Sequence, residues 1–157
     1  MDPAERPAPP VGGAARTARP FLEQPRSWAI AWLGWFIVLA ILSSLSHPGP
    51  KIDVVGIDKI EHAIYFAIGG TCLVLALALR EKTARSALST TPWGKLALIA
   101  LLIGAAVGWF DEWHQSFTPG RKGLDVYDWI ADMLGSLAAV PLARLVLRWL
   151  ALRTGRA

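Results

Sequence analysis

The chain has 157 residues, which is enough for one domain. Of these, 54% are hydrophobic and 18% are charged, and the mean hydropathy is +0.40. A composition this apolar excludes an ordinary water-soluble domain of the same size. The net charge is +4 and the pI is near 9.6, but no basic and aromatic pattern accompanies them, so we expect no nucleic-acid partner.

Residues 1–26 are rich in Pro, Ala and Arg and lack apolar periodicity, which predicts a disordered cytoplasmic tail. The apolar run that follows has two interpretations. It could be the apolar part of a signal peptide, with Ser44-Leu45-Ser46 as a cleavage site. It is longer than the usual stretch of about 7–15 residues, which favours a first helix that is retained.

Four apolar runs predict membrane-spanning helices, at residues 27–45, 60–79, 93–110 and 129–150. Each is close to the roughly 20 residues that cross a bilayer core. We therefore predict an all-α fold, an integral membrane bundle of four transmembrane helices over residues 27–150, followed by a second cytoplasmic tail at 151–157. The alternative is a soluble bundle with fully buried helices, which runs of this length disfavour.

Charged residues alternate in sign from one loop to the next, and this indicates an orientation. With both termini in the cytoplasm, 12 of the 16 basic residues lie inside, namely Arg6, Arg16, Arg19, Arg26, Arg80, Lys82, Arg85, Lys95, Arg144, Arg148, Arg153 and Arg156. Eight of the 12 acidic residues lie outside, namely Asp53, Asp58, Glu61, Asp111, Glu112, Asp125, Asp128 and Asp132. His47, His62 and His114 are also outside, with Lys51, Lys59, Arg121 and Lys122.

Small residues in the third and fourth helices predict close helix contacts. Gly104 and Gly108 form a GxxxG motif, and Gly135 and Ala139 repeat the spacing. Such positions let two helix backbones approach closely in lipid. The motif is compatible with packing inside one bundle, which we favour, and with a homo-oligomer formed through Gly104 and Gly108.

Two segments carry the residues that could do chemistry. At the start of the second helix, Asp58 and His62 are four residues apart and Tyr65 is three further on, so the three share one helical face. A hydrogen bond from His62 to Asp58 would fix the histidine tautomer. On this spacing Lys59 and Glu61 point elsewhere, towards solvent.

The second segment joins the third and fourth helices. Glu112 and Gln115 share a face if the third helix continues past Phe110, and Pro119-Gly120 predicts a turn. Asp125, Asp128, Asp132 and Gly135 then form one stripe on the fourth helix. Asp132 lies inside the apolar run, where a bare carboxylate costs a few kcal/mol. It should be protonated, paired with Arg121 or His62, or facing a polar cavity.

Four motifs in this order resemble the VanZ-like membrane protein family: Asp58-Lys59-x-x-His62-x-x-Tyr65, Glu112-x-x-Gln115, Pro119-Gly120-Arg121 and Asp128-x-x-x-Asp132-x-x-Gly135. The resemblance covers residues 58–139. The family usually has Asn where this chain has Asp132. The resemblance implies a small multi-pass protein of the bacterial inner membrane. The family takes its name from a protein linked to resistance to the glycopeptide teicoplanin, which suggests a role in the cell envelope.

Several functions remain open on this pattern. The site could bind an envelope lipid or a lipid-linked cell-wall precursor, or act on it as an enzyme, or carry protons for transport through Asp132 and His62. Catalytic candidates are His62, Asp58, Glu112 and Asp128; ligand-binding candidates are Lys59, Tyr65, Gln115, Arg121 and Asp132. An ion held by Glu112, Asp128 and Asp132 could bridge to a phosphate. Neither a metal nor a cofactor is assigned. For Asp111, His114, Lys122 and His47 we expect only a structural role at the membrane surface.

Overall fold

The computed structural model describes residues 19–46 and 56–154, and every regular element in those ranges is a helix. A short 3-10 helix, Phe21–Glu23, is followed by α1 (Pro25–Ser43), α2 (Ile57–Ala78), α3 (Ala84–Thr90), α4 (Trp93–Gln115) and α5 (Val126–Thr154). The predicted all-α fold is confirmed. The predictions for residues 1–18, His47, Lys51, Asp53 and residues 155–157 fall outside the described residues.

Four helices, α1, α2, α4 and α5, are long and apolar enough to cross a membrane. Their outer faces are apolar as well: Ile30, Leu102 and Leu145 are 70%, 60% and 57% exposed. Large apolar side chains so placed match lipid better than water. A helix also satisfies its own backbone hydrogen bonds, as a spanning segment must.

Helices α2, α4 and α5 are longer than the apolar runs that predicted them. Helix α4 continues five residues past Phe110 to Gln115, so Asp111 and Glu112 lie on a helix. Helix α5 begins at Val126 and has 29 residues, which gives a length of about 43 Å. Hydropathy marks where the apolar residues stop, whereas a helix continues as long as its backbone hydrogen bonds can form. Helix α3, capped by Thr83 and Ser86, was not predicted.

Contacts between helices fix their directions. Helices α2 and α5 run parallel, since Gly70 lies against Ala139 and Gly135 against Ala63. Helix α4 runs antiparallel to α5, and the C-terminal residue of α1, Ser43, contacts Asp111 near the C-terminus of α4. The C-termini of α1 and α4 and the N-termini of α2 and α5 therefore share one end of the bundle. We name it the acidic end, and the opposite end the basic end.

The apolar core lies towards the basic end. It contains large residues of α2 and α5 together with alanines that let the helices approach, and its buried members include Val74, Leu75, Leu79, Ala139, Ala143, Leu147 and Leu150. Towards the acidic end, the closest contacts between helices are made at glycines rather than alanines. A Cβ at Gly135 would lie 2.9 Å from the carbonyl carbon of Ala63.

The GxxxG motif of α4 packs against α5 of the same chain. Gly104 and Gly108 are buried against α5, where Cβ atoms would lie 2.6 Å from the Cβ of Ser136 and 3.0 Å from the Cβ of Asp132. The close contact favoured from the sequence, within one bundle, is the one that these glycines make. A homo-oligomer through the same positions stays a prediction.

Replacing Gly135 by Ala should destabilise the bundle by about 1–3 kcal/mol, because the new methyl group collides with the backbone of α2 and the helices must separate. The thermal unfolding midpoint in detergent measures the change. Gly34→Ala is the matched control, since a Cβ at Gly34 in α1 meets nothing within 4 Å. Equal midpoints for both variants would contradict the close packing of α2 on α5.

Candidate functional site

A buried carboxylate at the acidic end is paired with a histidine from another helix. Asp132 of α5 is 0% exposed, and its Oδ1 lies 2.9 Å from Nδ1 of His62 in α2. The pairing with His62 is one of the alternatives that the sequence allowed. The predicted pairing of His62 with Asp58 is wrong. Asp58 lies in the first turn of α2, at the surface, whereas His62 faces α5.

The ammonium group of Lys59 contacts three carboxylates near the N-termini of α2 and α5. Its Nζ lies 2.6 Å from Asp58, 2.8 Å from Asp128 and 3.5 Å from Asp125. The expectation that Lys59 points to solvent was wrong, because the N-terminus of α5 lies beside it. Glu61 is exposed, as expected.

Glu112 connects α4 to the loop that leads into α5. It is only 2% exposed, and its Oε2 accepts a hydrogen bond of 2.7 Å from the backbone N–H of Asp125. Its carbonyl also accepts from the N–H of Leu124. The other carboxylate oxygen, Oε1, is buried and has no hydrogen-bond partner within the described residues.

A second polar network lies between α1 and α4. Asp111 is 3% exposed and accepts hydrogen bonds from Ser43 Oγ and, at 2.7 Å, from Gln115 Nε2. Arg121 donates to Gln115 Oε1 from Nε at 3.1 Å and from Nη2 at 2.5 Å. A structural role was expected for Asp111, and these contacts, which α1 covers, are compatible with it. The four-residue spacing to Gln115 signalled the contact within α4; Ser43 was missed, since no pattern within α1 marks it.

The predicted turn positions Arg121. Thr118 accepts the N–H of Arg121 at 3.1 Å across Pro119-Gly120, and Gly120 has φ +81°. Proline followed by a residue with positive φ is the signature of a type II turn. Thr118 Oγ1 also donates to the carbonyl of Ser43 at 2.9 Å, which ties the loop to α1.

Asp125 caps α5. Its carboxylate accepts from the N–H of Tyr127 at 2.9 Å and pairs with Lys122 Nζ at 2.9 Å. The bond from Lys122, followed by that from Tyr127, lowers the pKa of Asp125 to about 2. Asp125 is therefore ionised at neutral pH, at the end of the helix that favours negative charge. The pairing raises the pKa of Lys122.

Tyr65 makes hydrogen bonds to α1 rather than to the charged residues of the acidic end. Its hydroxyl donates to the carbonyl of Trp35 at 3.0 Å, and the Trp35 indole donates to the carbonyl of Tyr65 at 2.9 Å. The two bonds tie α2 to α1. Tyr65 was predicted to bind a ligand; the structure shows this contact to α1, and ligand binding by Tyr65 stays a prediction.

Three potential metal ligands lie close together, namely His62, Glu112 and Asp128. Each offers one ligand atom, and the three atoms lie within 4.8 Å of one another. One face of α2, the end of α4 and the start of α5 thus supply an imidazole and two carboxylates. This set can exchange protons with a ligand or bind a cation.

A comparison with protein families agrees with the motifs. The family model described as VanZ/LLP1 matches residues 16–148, which include all the polar residues of the acidic end described above. The resemblance inferred from the motifs is confirmed. No solved structure matches the chain.

Asp132→Asn should fold with nearly the stability of the natural chain, because an amide oxygen still accepts from His62. Asp132→Ala should lose about 1–3 kcal/mol, since it leaves a half-buried imidazole without its partner. Thermal unfolding in detergent measures both. If Asn destabilised the chain as much as Ala, the hydrogen bond to His62 would not be what holds α2 to α5 here.

Proposed function

The chain belongs to the VanZ/LLP1 family, and from that premise we propose that it binds the phosphate headgroup of an envelope lipid or lipid-linked cell-wall precursor at the outer face of the bacterial inner membrane. The observation that carries the proposal is the convergence of charged side chains from α2, α4, α5 and their loop at one end of an apolar bundle. Ionisable groups beside lipid are costly and seldom kept without a use.

The charges at the two ends support the orientation. Among the described residues, the basic end carries Arg19, Arg26, Arg80, Lys82, Arg85, Lys95, Arg144, Arg148 and Arg153, with Glu23 and Glu81 as its acids. The acidic end carries Lys59, Arg121 and Lys122 with seven acids. Because basic residues stay on the cytoplasmic side, the acidic end faces outward in this proposal and both termini are cytoplasmic.

Lys59 and Arg121 are the groups that would bind phosphate. Each is held in place, Lys59 by Asp58 and Asp128 and Arg121 by Gln115, so little side-chain freedom is lost on binding. The Arg121 guanidinium has donors beyond the two that Gln115 uses, and such donors suit phosphate oxygens.

A protein that holds a lipid-linked cell-wall precursor would change how much of that precursor a glycopeptide antibiotic can bind. Altered teicoplanin susceptibility is therefore part of the proposal.

The His62–Asp132 pair favours one alternative, an enzyme acting on the same ligand. A carboxylate that orients an imidazole prepares it for general acid–base work, with Glu112 and Asp128 beside it. An enzyme would turn over a lipid phosphate, and His62→Gln would abolish turnover while binding persists. A proton-coupled carrier needs a path through the bundle, and the apolar core towards the basic end gives it no support.

Labelling with a membrane-impermeant thiol reagent tests the orientation. In a Cys72→Ser background, Lys122→Cys should react in intact cells, because Lys122 is 89% exposed at the acidic end. Lys95→Cys, exposed at the basic end, should react only after the membrane is permeabilised. The reverse pattern would place the site in the cytoplasm and overturn the outward-facing proposal.

Native mass spectrometry with added polyprenyl phosphate tests the ligand. Lys59→Ala and Arg121→Ala should each weaken binding about tenfold, because each removes a charge-assisted hydrogen bond. Lys95→Ala and Arg148→Ala remove the same charges from exposed positions at the basic end and should bind as the natural chain does. Equal losses in all four variants would indicate unspecific attraction to the phosphate.

A further inference from the structure

We propose that His62, Glu112 and Asp128 bind one divalent transition-metal cation of the zinc or manganese type. The inference deepens the proposed function, because the cation would link the acidic site to a phosphate. It rests on that function only for the cation's role, since binding of the metal alone is measured without any lipid.

The donor atoms are close to metal-binding geometry. They lie within 4.8 Å of one another. Ligands at about 2.0–2.2 Å from a tetrahedral zinc ion lie about 3.4 Å apart, so small side-chain rotations complete the site. Three protein ligands leave a coordination position open, as in sites where a metal binds a water or a substrate oxygen.

The hydrogen bond to Asp132 holds the imidazole of His62 in place. Its Nδ1 is bound to the buried carboxylate of Asp132 at 2.9 Å. With the proton on Nδ1 donated to Asp132, Nε2 carries a free lone pair. A carboxylate behind the imidazole is the usual second partner of a metal-bound histidine, since it fixes the tautomer and raises the basicity of the ligand nitrogen. Asp132 is thus a positioning residue.

Glu112 gives the second observation. It is 98% buried, being 2% exposed, and its Oε1 has no hydrogen-bond partner in the part of the chain that the structure describes. A buried carboxylate oxygen without a partner costs free energy, and a cation would remove that cost. Two carboxylates and a neutral imidazole balance the charge of a divalent cation.

In this proposal, Lys59 and the metal ion together would bind an anion. It now contacts Asp128 at 2.8 Å and Asp58 at 2.6 Å. A cation bound to Asp128 would compete with this ammonium group, which can keep its contact with Asp58. Metal and Lys59 together would then present positive charge where the acids alone would repel a phosphate. Imidazole ligation favours zinc over magnesium, and the two carboxylates are also compatible with manganese.

Isothermal titration of the full chain tests the inference. The protein is stripped with a chelator, placed in nanodiscs of zwitterionic lipid and titrated with ZnCl₂, with MnCl₂ and MgCl₂ in parallel. We expect one zinc or manganese ion per chain. His62→Ala and Asp128→Asn should weaken binding more than about tenfold, because loss of an outer partner alone costs 10–100-fold.

His114→Ala and Glu61→Gln are the matched controls, because they change a histidine and an exposed carboxylate at the acidic end outside the three ligands. Both should bind like the natural chain. Absence of stoichiometric zinc or manganese binding by the folded chain would overturn the inference, as would equal binding by His62→Ala or a preference for magnesium. In each case phosphate binding through Lys59 and Arg121 would remain measurable in the lipid experiment.

If His62→Ala and Asp128→Asn do not fold, a second experiment tests the inference by the appearance of a new absorption band. In the Cys72→Ser background, His62→Cys should give bound Co²⁺ an intense near-ultraviolet absorption from a cobalt–thiolate bond. His114→Cys should not. A folded His62→Cys chain that takes up cobalt without this band would show that position 62 is not a ligand, and one that takes up none would show that the site is absent.

Discussion

Burial of the Asp132 carboxylate is the constraint on which the acidic end depends. A charged or polar group between membrane helices must find a partner there, since lipid supplies none. The partner is His62, which α2 can present only because Gly135 lets α2 and α5 approach at Ala63. On the other side, Gly108 leaves room for the same carboxylate. Three helices therefore meet at one side chain, and small residues are needed where they meet.

The loop between α4 and α5 is fixed by the same helices. Glu112 binds the backbone at Asp125, Thr118 binds the carbonyl of Ser43, and Arg121 is held by Gln115. The loop thus closes over the acidic end with its polar groups tied to α1 and α4. A ligand would meet an ordered surface, which reduces the entropy lost on binding. That order would favour the proposed recognition of a headgroup.

Negative charge at this site exceeds the positive charge that the described residues provide. Lys59 contacts both Asp58 and Asp128 with a single positive charge, Lys122 pairs with Asp125, and Glu112 has no cation within hydrogen-bonding distance in the described ranges. A proton or a metal ion can make up the difference. The choice decides the chemistry: protons suit acid–base work, whereas a metal ion attracts phosphate. The enzyme and metal hypotheses are thus different uses of this excess negative charge.

The sequence by itself determined the four spanning helices, their charge bias, the turn at Pro119-Gly120 and the family. Each follows from runs or short spacings along the chain, which hydropathy and backbone geometry fix locally. Spacing within a helix also placed Asp111 four residues from Gln115, but it could not say which helix covers that face. Only the tertiary structure decided that His62 pairs with Asp132 rather than Asp58, that Lys59 turns inward, and that Ser43 reaches Asp111. These partners lie 68 or more residues apart, and side-chain packing between helices selects among faces that the sequence leaves equivalent.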